Sequence, residues 1–385
     1  MFVPKQFASC ILLALCALPL AAAAGPRYNL TVLGGAGSAA LDINLGGQVV
    51  GEYTNGAGDQ RAFIHSGIAL LDLGTLGGAS ASAAAINDSG QVVGTASNAA
   101  GDGRAFSYLG GVMSDLGTLG GAGSRAYGID NAGHIVGAAD YPAGSLGEYG
   151  IAFLYANGSM QGLGFLPTYE GDERSRALAI NAQGQIVGAS SATDFGPPEH
   201  PEHAFIIDND MMTDLGTLGG LYSEARAIND AGVIVGRAST TLDPAGIGHT
   251  IPHAFLLLDG TMIDLGALGG QYVGSDALDV NNLGQVVGWS GVGLSADRHG
   301  FLYQGGIFQD VNLLIDPLSG WTVTDAAAIN DLEQIAGTAC RDGQCYAVRL
   351  DPLQANVPEP GTALLTATGL GMLAWVGTRR RSRRS

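Results

Sequence analysis

The sequence predicts an all-β fold, a seven-bladed β-propeller, on three observations. One module recurs seven times between residues 43 and 337, the signature of a repeat architecture. Each copy carries four short β-prone runs, the strand count of a propeller blade. The seventh copy lacks its fourth run, and a matching run precedes the first copy at Tyr28-Asn29-Leu30-Thr31-Val32-Leu33-Gly34-Gly35. An N-terminal strand that completes the last blade explains both ends at once and leaves no long open edge for another chain to pair with.

The first two runs flank a turn. The copies read Ile43-Asn44…Gly51, Ile86-Asn87…Gly94, Ile129-Asp130…Gly137, Ile180-Asn181…Gly188, Ile228-Asn229…Gly236, Val280-Asn281…Gly288 and Ile329-Asn330…Gly337. Their closing glycines are 43, 43, 51, 48, 52 and 49 residues apart. In Asn87-Asp88-Ser89-Gly90 the turn closes on its own side chains and on a glycine that tolerates positive φ; Glu333 alone replaces that glycine. The closing glycine lies inside the second strand, where it weakens the strand unless a backbone or a ring must approach closely.

The third run is Arg61-Ala62-Phe63, Arg104-Ala105-Phe106, Ile151-Ala152-Phe153, His203-Ala204-Phe205, His253-Ala254-Phe255, His299-Gly300-Phe301 and Tyr346-Ala347-Val348, whose ring or Val fills the space left by the glycine. The fourth run, Met113 to Gly121, recurs at Leu71 to Gly78, Thr213 to Gly220 and Ile263 to Gly270, with looser versions at Gly162 to Leu166 and Asp310 to Leu314. Loops between the second and third runs are long in copies three to five (Tyr141 to Tyr149, Asp194 to Glu202, Thr240 to Pro252) and project from one face of the ring. Long loops on a rigid scaffold are where binding resides, which makes Asp194, Glu199, His200 and Glu202 the candidate ligand-binding residues.

The ends carry targeting signals. Residues 1–24 hold one Lys, an apolar core from Phe7 to Leu20 and the small-residue exit Ala22-Ala23-Ala24, the grammar of a signal peptide. Cys16 follows Leu15, where a lipidation signal needs a small residue. Past the propeller (25–352), a linker (353–360) bears Pro358-Glu359-Pro360, an apolar helix spans 361–377, and an Arg-rich tail (378–385) includes Arg379, Arg380 and Arg381. A helix of 17 residues covers about 26 Å, short of a bilayer core of about 30 Å. The arginines place that end in the cytoplasm and the propeller outside.

Charge and chemistry exclude several classes. Residues 25–360 carry all 35 acids against 11 arginines, a net charge of −24, which repels nucleic acid and anionic membranes. Cys340 and Cys345 flank a hairpin turn; in an oxidising compartment they close as a disulfide, with two free thiols as the alternative. His203, His253 and His299 share a repeat position with Arg61, Arg104 and Ile151, an interchange that a zinc ligand does not tolerate. The Asp-containing turns are too short for an EF-type calcium loop, and Gly-Thr-Leu-Gly-Gly lacks the Lys of a phosphate loop. No catalytic constellation, metal set or cofactor motif is visible in the sequence.

The repeat pattern, with its His-Ala-Phe tripeptides at His203 and His253, resembles the HAF repeat family of bacterial secreted proteins over residues 28–351. The tail, Pro358-Glu359-Pro360 followed by the apolar span and the Arg cluster, resembles the PEP-CTERM sorting signal of Gram-negative bacteria. The resemblances imply a repeat protein exported across the inner membrane, held there briefly through the C-terminal helix, processed by a membrane exosortase and delivered to the cell surface or matrix. The expected function is a non-catalytic one, associated with exopolysaccharide or biofilm. The alternative is an extracellular hydrolase or lyase acting on carbohydrate or lactone at the central channel.

Overall fold

A computed structural model describes residues 27–141, 150–168, 173–192, 201–241, 251–293 and 297–353. They form seven four-stranded antiparallel sheets around one axis. Blade one holds strands 39–43, 49–54, 60–65 and 70–72; blade four holds 175–180, 186–191, 202–208 and 211–214. The first strand of each blade is the innermost and the fourth the outermost. The seventh sheet closes the ring: Tyr28–Val32 pairs with Gln344–Pro352, in register from Tyr28 opposite Pro352 to Val32 opposite Val348. The signal peptide, the sorting motif, the apolar span and the Arg tail lie outside the described residues; no helix within them is long and apolar enough to cross a membrane.

Each element of the repeat has a physical role. In all seven blades the closing glycine stands opposite the aromatic or Val position, from Gly51 with Phe63 to Gly337 with Val348. The principal reason for the glycine is backbone. A bulge in the inner strand, at Leu41 in blade one, swings the preceding carbonyl over the second strand, so a Cβ on Gly51 would collide with the Ala39 carbonyl. The same collision recurs at Gly94, Gly137, Gly188, Gly236, Gly288 and Gly337, and the Phe ring crowds the site closely at Gly137 and Gly288. Bulges bend the strand and raise its twist, which suits an inner strand that must turn sharply around the axis. Every Phe of the third strands is fully buried, and the apolar clusters lie between successive blades, so the core is seven interblade seams rather than one central mass.

In five blades the residue two before the third-strand Phe is a cation that pairs with an Asp on the fourth strand. Arg61 meets Asp72 at 3.0 Å, Arg104 meets Asp115 at 3.2 Å, and His203, His253 and His299 meet Asp214, Asp264 and Asp310 at 2.8, 3.0 and 2.7 Å. Each Asp also accepts a backbone N–H two residues on, as Asp214 does from Gly216 at 2.7 Å. Where Ile151 replaces the cation, Gly162 replaces the Asp, and in blade seven Tyr346 goes with Val32 at the Asp position. Cation and carboxylate are kept or lost together, which explains why Arg and His interchange.

Two boundaries differ from the sequence expectation. The Gly-Gly of the fourth run in blades one and four belongs to the inner strand of the next blade, which it opens: Gly77–Ile86 in blade two and Gly219–Ile228 in blade five. Asp310 to Leu314 is the end of an outer strand followed by a 3₁₀ turn at Val311–Leu313, because Asp310 caps the turn through the Asn312 N–H. Glu333, in place of the turn glycine, adopts φ 60°. Its carboxylate meets Arg27 at 2.8 Å, tying the N-terminal strand to the blade it completes. Cys340 and Cys345 are joined in a disulfide between the second and third strands of that blade.

Candidate functional site

The axial channel has two unlike ends. At one, the seven Ile-Asn turns converge. Each turn asparagine folds its own turn, Asn87 Oδ1 accepting from the Ser89 and Gln91 N–H groups at 3.1 and 3.0 Å. Its amide then donates to the backbone carbonyl of its counterpart in the next blade: Asn44 to Asn87, Asn87 to Asp130, Asn181 to Asn229, Asn229 to Asn281, Asn281 to Asn330, and Asn330 back to Asn44 at 2.9 Å. The seventh link, from residue 130 to the Asn181 carbonyl, has no donor, because a carboxylate has no N–H. Asp130 instead holds His134 Nδ1 at 2.7 Å. The turns enclose a cavity of about 240 Å³.

Inside the channel stand two carboxylates that the repeat alignment does not flag, Asp42 and Asp279, where the other copies have Ala or Gly. Each clamps two blades. Asp42 accepts from the Ile43 and Ile86 N–H groups at 2.7 and 2.8 Å, and Asp279 from Val280 and Ile329 at 2.8 Å each. Burial pushes the Asp42 carboxyl up to about 8, with Asp279 adding to the rise and the two N–H groups opposing it. Asp279 is pushed up to about 6, again by burial.

At the opposite end the second strands finish and the third strands begin. The last residue pairs before the long connections, Ala139 with Ile151, Ser191 with Glu202 and Ser239 with Pro252, all lie at that face. Of the candidate binding residues, Asp194, Glu199 and His200 lie outside the described residues. Glu202 opens the third strand of blade four and faces the channel mouth, where Arg174 and Arg176 hold it at 3.3 and 2.9 Å.

From Glu202 a continuous network runs across three blades. Arg176 reaches Glu224 on blade five at 2.9 Å; Glu224 also takes Arg226 at 3.1 Å and Arg237 at 2.9 Å; Arg226 continues to Asp276 on blade six at 3.0 Å. Arg176, Glu224 and Asp276 are 8, 5 and 1 % exposed, so these charges depend on one another rather than on water. Burial raises the Glu224 carboxyl, but Arg226, Arg176 and Arg237 outweigh it and hold the group below its ordinary range. Asp276 stays above its ordinary value because burial dominates its two guanidiniums, and its Oδ1 has no hydrogen-bond partner.

The signal for this mouth was present in the repeats. The residue before the inner-strand Ala is Ala39 and Ser82 in copies one and two, but Arg125, Arg176, Glu224, Asp276 and Asp325 in copies three to seven. Tyr222, 43 % exposed, precedes Glu224 on the inner strand of blade five, where the pairing is irregular between Gly219 and Ser223. Arg125 is exposed and lies against the Tyr127 hydroxyl, whose pKa is raised, chiefly by burial, within reach of Arg176 and Glu224. No carboxylate pairs with Arg125 among the described residues.

No family model matches the sequence, and no curated protein does. Among solved structures, one described as YCF48 bound to a D1 peptide is 11 % identical, with a TM-score of 0.47 over 87 % of this chain and 97 % of that one. The X-ray structure of a protein provisionally assigned as a gluconolactonase is 11 % identical, with a TM-score of 0.36 over 66 % of this chain and 83 % of that one. Likenesses of this extent carry no functional assignment to the chain.

Proposed function

We propose that the chain is an exported, non-catalytic surface or matrix propeller that acts by binding extracellular polysaccharide at its loop face, after a membrane exosortase has recognised Pro358-Glu359-Pro360 and removed the tail. The observation that carries the binding reading is the polar mouth. Guanidinium donors and carboxylate acceptors alternate there across blades four to six, and an exposed tyrosine, Tyr222, lies on the same inner strand as Glu224. Alternating donors and acceptors match the vicinal hydroxyls of a sugar, and an aromatic ring offers an apolar face to the sugar's C–H surface. The acidic exterior keeps such a protein soluble and apart from nucleic acid.

Two measurements test the proposal separately. On a glycan array the propeller gives saccharide signal that is lost when residues 194–200 are deleted; retention of the full signal would place binding elsewhere. Mass spectrometry of the surface or secreted form shows a C-terminus upstream of Gly361; an intact Arg379 to Arg384 cluster would refute processing.

A further inference from the structure

We infer that the mouth is built for a saccharide that carries a carboxylate, a uronic acid residue, with Arg125 as the group that pairs with it. The inference rests on the binding reading above and adds the substrate class. Residues 25–360 hold 11 arginines, and six of them, Arg125, Arg174, Arg176, Arg226, Arg237 and Arg298, belong to strands or strand ends at this one mouth. They stand among the carboxylates Glu202, Glu224, Asp276 and Asp325, so the mouth concentrates guanidiniums within a domain of net charge −24 without being of one sign.

The other five arginines are engaged with protein carboxylates. Arg174 and Arg176 meet Glu202, Arg226 and Arg237 meet Glu224, and Arg298 meets Asp325 at 3.0 Å. They fix the mouth's shape. Arg125 differs: it occupies the equivalent position on blade three, where its neighbour Tyr127 is aimed at Arg176 and Glu224, yet it is exposed and has no carboxylate partner among the described residues. An exposed planar guanidinium with no carboxylate partner among the described residues is a fork for a carboxylate from outside.

Two further polar atoms of the mouth are without partners. Arg226 Nε–H and Asp276 Oδ1 are a buried donor and a buried acceptor on the two joined side chains, and neither has a hydrogen-bond partner. Tyr222, on the same strand as Glu224 and Arg226, is exposed.

The test is titration calorimetry of the full propeller with trigalacturonate, its methyl ester, neutral galactotriose and a tetrapeptide with a free C-terminus. Trigalacturonate binds, and esterification or Arg125→Ala weakens it roughly ten- to hundredfold, the range of one charged bidentate contact; Arg125→Lys restores part of the loss, and added salt weakens binding. Equal binding of acid, ester and galactotriose, or an Arg125→Ala variant with unchanged affinity, would overturn the uronate assignment while leaving polysaccharide binding intact. Failure of all three saccharides would overturn both readings. Binding of the tetrapeptide in place of the saccharides would overturn the class of ligand.

Discussion

Completing the asparagine ring should stabilise the propeller. Six of the seven turns pass an amide to the next blade's carbonyl, at 2.9 to 3.1 Å, and the chain of links is interrupted only where Asp130 meets Asn181. The Asn181 carbonyl already accepts from Gly184 at 3.0 Å, so what is missing is its second hydrogen bond, not its first. The double variant Asp130→Asn with His134→Gln recreates the pair seen in four other turns, where the amide also donates to a Gln Oε1 at 2.7 to 2.9 Å. It retains the two backbone bonds that Asp130 Oδ1 accepts, from Ala132 and His134. The gain is one neutral hydrogen bond, about 0.5–1.5 kcal/mol net. The loss is the Asp130–His134 contact, whose imidazole is 43 % exposed and which is worth about 0–1 kcal/mol. A net gain of about 0.5–1 kcal/mol corresponds to a rise in Tm of roughly 1–3 °C for a domain of this size. Denaturant midpoints and thermal scans, with the disulfide intact, measure it. An unchanged or lower midpoint would refute the idea that the ring is an energetic belt rather than a geometric coincidence.

Two further perturbations follow from the geometry. Gly188→Ala puts a Cβ into the Arg176 carbonyl and should cost about 3 kcal/mol or more, whereas Gly184→Ala, in open space at φ 78°, should cost about 1 kcal/mol; equal Tm losses in the two variants would refute the bulge argument. The pH dependence turns on Asp42. With its folded pKa at about 8 against about 4 unfolded, the native state binds the extra proton between those values, so this contribution is present below about pH 4 and falls away as pH rises to about 8. Asp42→Asn should flatten the decline of Tm between pH 5 and 8; a variant with the wild-type slope would show that the clamp carboxylate is ionised throughout.

The candidate site was only partly legible. Glu202 was reached through loop length alone, and no local pattern connects it to the rest of its network: Arg176, Glu224, Arg226 and Asp276 belong to three blades. A comparison of the copies would have found the charged position, because charge enters it at Arg125 and persists to Asp325. Positions that stay the same define the repeat, and the site is made of those that vary. Asp42 and Asp279 were hidden for the same reason. The histidines are the converse case: their interchange with arginine pointed to a structural role, and the Asp eleven residues on completes it.

The sequence by itself determined the propeller, its blade count and its closure. Those properties follow from local rules repeated seven times: turn residues that permit one backbone path, a glycine and a ring at fixed offsets, and a strand displaced from one end of the chain to the other. Only the tertiary structure decided which charges meet. Coulomb energy depends on distance in space, and closing the ring brings side chains about fifty residues apart to within 3 Å. It also decided why the glycines are obligatory, since the carbonyl that excludes a Cβ comes from a bulge visible only in the paired strands.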